Sequence, residues 1–152
     1  MFLQNRMIRI MLSFASTAAM TAAELSSLQH ITDLACSIVS LLNDYYSWEI
    51  EYKTASEAKV QIGLVNATHV LMQLYGVDAV AAKLLLRSEI SKLEARYSEA
   101  KEELFNQSPP VRQVELWCEN LELLVAGYNV WALTCPRYNT VSGSNDLTES
   151  FS

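Results

Sequence analysis

The stretch TAAELSSLQHITDLACSIVSLLNDYYSWEIEYK, residues 21–53, decides the fold. Thr21-Ala-Ala-Glu24 fits a capping box, in which the threonine hydroxyl accepts the third helical amide and the glutamate reaches back to the cap amide. A helix is therefore predicted to start there. Leu25, Leu28, Ile31, Leu34, Ala35, Ile38, Leu41, Leu42 and Tyr45 then recur at three- and four-residue steps. Such spacing lays one apolar stripe along a long, mostly buried helix, expected to run to about Lys53.

Downstream, Thr54-Ala-Ser-Glu57 interrupts the apolar pattern, and Val60, Leu64, Ala67, Leu71 and Leu74 form a second stripe that leads to Gly76, a C-cap. Asp78 can cap the next helix, whose Val80, Leu84, Ile90, Leu93, Tyr97 and Leu104 face inward and which should stop near Ser108-Pro109-Pro110. A last helix, from about Val111 to Leu133, is apolar around much of its circumference, as expected of an element with little water contact, and Cys135-Pro136 ends it. Beyond Asn139 the composition turns to Ser, Thr, Asn, Gly and Asp, so residues 140–152 are expected to be a disordered tail.

Composition agrees with this reading. The chain has 152 residues, 51% of them hydrophobic, enough for one compact domain, and 4 Gly and 3 Pro leave few turns between long elements. An all-α protein is the expectation. The net charge of −6 disfavours nucleic acid, whose backbone attracts a basic face. Cys36, Cys118 and Cys135 lie in apolar stretches with neither disulfide nor metal spacing, so they read as core thiols in a reducing, cytoplasmic setting. Arg6 and Arg9 ahead of Ile10 to Ala19, with Ala22-Ala23 following, admit a signal-peptide reading; Ser13, Ser16 and Thr17 interrupt that run, which reads equally as the end of a buried helix. No run approaches the ~18 apolar residues of a membrane span.

Chemistry concentrates in Asn43-Asp44-Tyr45-Tyr46-Ser47-Trp48-Glu49-Ile50-Glu51. Asn43, Ser47 and Glu51 stand at i, i+4 and i+8, climbing one helix face in steps of roughly 6 Å. An amide carbonyl, a hydroxyl and a carboxylate are hard oxygen donors suited to Mg2+, and three ligands from one helix leave positions for water and phosphate oxygens. The alternative is a solvated polar face. Against it stand the apolar neighbours Leu41, Leu42, Tyr45, Tyr46 and Trp48, among which polar side chains need partners.

This N-D-x-x-S-x-x-x-E pattern resembles the second metal motif of class I terpene synthases. Asn129-Val-Trp-Ala-Leu-Thr-Cys-Pro-Arg-Tyr138 is similar to the end of the last cyclase helix in the fungal bifunctional terpene synthases of the fusicoccadiene and ophiobolin synthase type. The resemblance runs from about Met11 to Asn139 and implies a partial class I terpenoid synthase helical fold, with residues 1–139 as the C-terminal half of a cyclase domain. It implies Asn43, Ser47 and Glu51 as Mg2+ ligands, Arg137 and Tyr138 as diphosphate binders, and Trp131 and Asn129 as pocket residues. A guanidinium fork and a phenol hydroxyl are suitable donors for a diphosphate.

The activity so implied is ionisation and cyclisation of a C20 or C25 prenyl diphosphate. Two departures qualify it: the chain has no Asp-Asp pair, hence no aspartate-rich metal motif, and Ile50 stands where many relatives carry a lysine. A fragment weak or inactive by itself is expected; a homo-oligomer and a companion chain that supplies the missing aspartates both stay open. The competing expectation is a non-catalytic helical pseudoenzyme that self-associates or binds a partner through exposed apolar faces.

Overall fold

The computed structural model describes residues 20–57, 64–107 and 109–139, and among them every regular element is a helix. In chain order these are α1 (Ala22–Ser27), α2 (Gln29–Glu57), α3 (Ala67–Tyr75), α4 (Ala79–Gln107), α5 (Arg112–Thr134) and α6 (Pro136–Asn139). The expected tail 140–152, the segment bearing Arg6 and Arg9, and Val60 lie outside the described residues.

The capping box forms as expected: Thr21 N donates to Glu24 Oε2 at 2.6 Å, and Glu24 N donates to Thr21 Oγ1 at 3.2 Å. The single long helix does not begin there, however. Leu28 separates α1 from α2 with φ −86° and ψ −6°, and its carbonyl accepts both Thr32 N and the Thr32 hydroxyl, so the break is one residue deep. At the other end α2 runs four residues past Lys53 to Glu57. The interrupting hydroxyls are absorbed by the helix itself, since Thr54 Oγ1 donates to the Ile50 carbonyl at 2.7 Å and Ser56 Oγ to that of Tyr52.

Helix α2 is the central element, packing on α4 and α5, while α3 lies mainly against α4 and α6 folds back on α5. Its buried stripe of Ile31, Leu34, Ala35, Ile38 and Leu42 meets Leu86, Ile90 and Tyr97 of α4 and Val114, Trp117, Cys118 and Leu121 of α5. Each such aliphatic side chain contributes roughly 1.5–3 kcal/mol by leaving water. Two polar side chains inside this core are paired across helices. Trp117 Nε1 donates to Thr32 Oγ1 at 3.0 Å, and the Tyr97 hydroxyl donates to the Cys118 carbonyl at 3.3 Å. Burial pushes the Cys118 thiol up to about 11 and raises the Tyr97 phenol further, which keeps both neutral.

Gly76 ends α3 in the left-handed region (φ 64°), and Asp78 Oδ1 accepts Ala81 N at 2.8 Å at the start of α4, both as expected. Two inward assignments are corrected. Val80 and Leu84 are 72% and 69% exposed, because α4 turns Ala82 and Leu86 to the core instead, in line with the expected Ile90 and Tyr97. Along α5, Leu123, Val130 and Leu133 are exposed, so this helix is packed on one side and open on the other. Leu64, expected to be helical, precedes the N-cap Asn66. No single helix among the described residues is long and apolar enough to cross a membrane; α3 and α4 meet that test only as a pair bent by 112°.

Candidate functional site

The apolar stripe that seats α2 against α4 and α5 aims its second face, carrying Asn43, Ser47 and Glu51, toward neighbours from the rest of the chain. Asn43 Nδ2 donates to the hydroxyl of Tyr128 on α5 at 2.8 Å and to that of Tyr138 on α6 at 3.0 Å. The bend at Cys135, which is extended (φ −64°, ψ 124°), brings Tyr138 back to this position. Both phenols accept from the amide, and the Tyr128 hydroxyl is itself hydrogen-bonded to that of Tyr138, so the pair keeps one proton for donation outward. For Tyr128, burial pushes the phenol upward, Asn43 pulls it down, and the Tyr138 hydroxyl pushes it up again.

One turn along, the Ser47 side chain is 1% exposed, and its Oγ has no hydrogen-bond partner. An orphaned buried hydroxyl is rare and asks for an acceptor, a water or an ion. Another turn along, Glu51 Oε2 accepts Asn66 Nδ2 at 3.0 Å. Asn66 also donates to the Asp44 carbonyl at 3.0 Å, and Asp44 Oδ2 accepts Ala67 N at 2.8 Å, which locks the start of α3 to α2. Burial raises the Asp44 carboxyl; the Ala67 amide opposes this, and the negative Glu51 adds to it.

Arg137 is exposed, with its guanidinium 5.9 Å from the centre of the Tyr138 ring, and among the described residues no carboxylate pairs with it. Trp131, 48% exposed, packs against the Tyr128 and Tyr138 rings at 5.5 and 5.6 Å between centroids. Asn129 Oδ1 accepts the Tyr46 hydroxyl at 2.8 Å, and Asn129 lines a cleft of about 390 Å³ with Ile38, Leu42, Tyr97 and Val125. A second cleft, about 480 Å³, is lined by Asp44, Asn66, Glu89, apolar side chains of α2, α3 and α4, and Val65 ahead of α3.

The arrangement thus joins Asn43 to Tyr138, while neither of these two clefts is lined by Glu51 or Arg137. Asn66 and Tyr128 escape a reading of the sequence alone. An asparagine just ahead of a helical run is an N-cap signal, but its reach to Glu51 is tertiary; Tyr128 sits in an apolar helix with no local mark.

Among the described residues no three His, Cys, Asp or Glu side chains cluster, so a cation here would depend on neutral oxygen donors beside one carboxylate. Asn43, Ser47 and Glu51 supply that set, and the unpartnered Ser47 hydroxyl between the other two fits a hard divalent ion.

The family model described as "Terpene synthase family 2, C-terminal metal binding" matches residues 6–96. Dolasta-1(15),8-diene synthase of Colletotrichum gloeosporioides is 34% identical over 126 residues, 83% of this chain and 17% of that protein. Conidiogenone synthase of Penicillium rubens is 33% identical over 105 residues, 69% of this chain and 14% of that protein. Sesterterpene synthase btcA of Colletotrichum orbiculare is 28% identical over 130 residues, 85% of this chain and 18% of that protein. The chain therefore spans less than a fifth of the length of these curated relatives.

Proposed function

The chain belongs to the terpene synthases, in the family with a C-terminal metal-binding domain, and on that premise we propose that it forms one wall of a magnesium-dependent prenyl diphosphate site. Asn43, Ser47 and Glu51 hold Mg2+, and Arg137 and Tyr138 bind the diphosphate. Residues 1–139 act as the C-terminal half of the cyclase domain, with 140–152 as a tail. The observation that supports this most is the 3.0 Å hydrogen bond from Asn43 to Tyr138, which unites two motifs far apart in the chain.

Bound Mg2+ supplies Lewis acidity at the phosphate oxygens as the carbon–oxygen bond breaks. The protein's own contributions are positional. Arg137 presents two parallel N–H donors to a phosphate, and the Tyr128–Tyr138 hydroxyl pair keeps one proton for its oxygens. Trp131 packs beside the two phenols, and its face offers negative potential to a passing carbocation, while Asn129 meets Tyr46 at the neighbouring cleft. The carboxylates needed to complete the metal set come from outside these residues, in line with the lack of any Asp-Asp pair. The names of a cyclopiane-type diterpene synthase of Penicillium chrysogenum, 33% identical over 105 residues, and of the sesterterpene synthase btcA favour a C20 or C25 prenyl diphosphate as substrate.

The test is hydrocarbon release from geranylgeranyl or geranylfarnesyl diphosphate with Mg2+, by the chain alone and by an enzyme that joins it to an aspartate-rich cyclase half. Product from the joined enzyme, abolished by Asn43→Ala, is expected; full turnover by the isolated chain contradicts the fragment reading. A second reading, a non-catalytic protein that self-associates, is favoured by the exposed Leu123, Val130 and Leu133 along α5. Light scattering separates them, since a monodisperse monomer rules out self-association.

A further inference from the structure

Asn66 stands beside the candidate ligands and has no part in the reaction described so far. It is 1% exposed, yet every polar hydrogen of its side chain is in use: Nδ2 donates to Glu51 Oε2 and to the Asp44 carbonyl, each at 3.0 Å. Its Oδ1 accepts Thr68 N at 2.8 Å, as the N-cap of α3. The side chain is thereby fixed from three directions and bridges two turns of α2, the one at Asp44 and the one at Glu51.

We propose that Asn66 is a positioning residue that holds the Glu51 carboxylate in the conformation from which it takes a divalent cation, an inference that rests on the reading of Asn43, Ser47 and Glu51 as metal ligands. A glutamate on an otherwise open helix face samples many rotamers, and each must be frozen out when a metal binds. A hydrogen bond from a rigid, buried donor removes that freedom in advance. The donor's neutrality matters as well. Lysine or arginine at this position would neutralise Glu51 and compete with the ion, whereas an amide hydrogen orients one oxygen and leaves the carboxylate its charge. Substitutions of such outer-shell partners typically cost ~10–100-fold in metal affinity.

The experiment titrates the full chain with Mn2+, a spin probe for hard divalent sites, and follows free Mn2+ by electron paramagnetic resonance. Asn66→Ser and Asn66→Gly both keep a favourable N-cap for α3 but remove the donor to Glu51. Each is expected to weaken Mn2+ binding ~10–100-fold at unchanged helical content by circular dichroism. On a Glu51→Gln background the same substitutions should add under about twofold, because the partner they serve is already gone. Wild-type Mn2+ affinity in both Asn66 variants, with loss in Glu51→Gln, overturns the positioning role and leaves the ligand reading intact. An equal loss on both backgrounds also overturns it. Undiminished binding by Glu51→Gln overturns the ligand reading instead. If both Asn66 variants lose helicity, the wild-type Asn66 side-chain amide signal decides by nitrogen-15 NMR. A shift on saturation with Mg2+ is expected, and an unmoved signal overturns the proposal.

Discussion

Asn43 and Tyr138 share a hydrogen bond of 3.0 Å, although one lies midway along α2 and the other at the end of the described chain. Tyr128 takes the second amide hydrogen at 2.8 Å, so a single side chain ties α2, α5 and α6 together. The short helix α6 is held by this tie, by the Trp131–Tyr138 ring contact and by Asn139 Nδ2, which donates to the Leu133 and Cys135 carbonyls.

Tyr128→Phe and Tyr138→Phe each remove one acceptor from that amide while leaving the other. Each single change should cost ~0.5–1.5 kcal/mol in urea unfolding, and the double variant more than the sum, because the amide is then left without partners. Strict additivity would show that the two hydroxyls do not act through Asn43.

Thr32→Val keeps the shape of a buried residue but deletes the acceptor of the Trp117 indole N–H. A stranded buried donor costs ~1–3 kcal/mol, well above the usual effect of an isosteric swap. Urea denaturation measures it; a change under ~0.5 kcal/mol would mean that the indole finds water.

Leu121→Ala and Leu123→Ala separate the packed and open sides of α5. Leu121 is fully buried, so its truncation should cost ~2–5 kcal/mol, whereas Leu123, 68% exposed, should stay within ~0.5 kcal/mol. A large loss at Leu123 would show that its face is covered in solution, the outcome expected of a self-associating chain.

The capping box responds to acid in a defined direction. The Thr21 backbone amide, and then its hydroxyl, hold the Glu24 carboxyl below its ordinary value of 4.5. A depressed carboxylate stabilises the fold fully above that value, and the contribution is lost as pH falls through the lower, folded-state value. Hydrogen exchange at the Thr21 amide should quicken across that interval, and Glu24→Gln should flatten the response.

Local chemistry made much of the fold legible. Thr21 and Glu24, Gly76, Asp78 and the Pro109-Pro110 stop each mark an element boundary through their own backbone or side-chain bonding, and each stands where expected. The facing of long helices was harder to read. Val80 and Leu84 form as good an apolar stripe as Ala82 and Leu86, and only the position of α2 decides which one is covered. The break at Leu28 carries no glycine or proline and is likewise invisible in sequence. In the site, Asn43, Ser47 and Glu51 announce themselves by spacing, but the partners that orient them, Tyr128 and Asn66, come from distant helices and leave no periodic trace.

The most direct measurement is calorimetric titration of inorganic diphosphate into the chain, with and without Mg2+. One metal-bridged site built from both motifs predicts diphosphate binding that requires Mg2+ and weakens ~10-fold or more in both Glu51→Gln and Arg137→Ala, consistent with the weight of charge-assisted contacts. Equal binding without Mg2+, or binding unchanged in both variants, would contradict it.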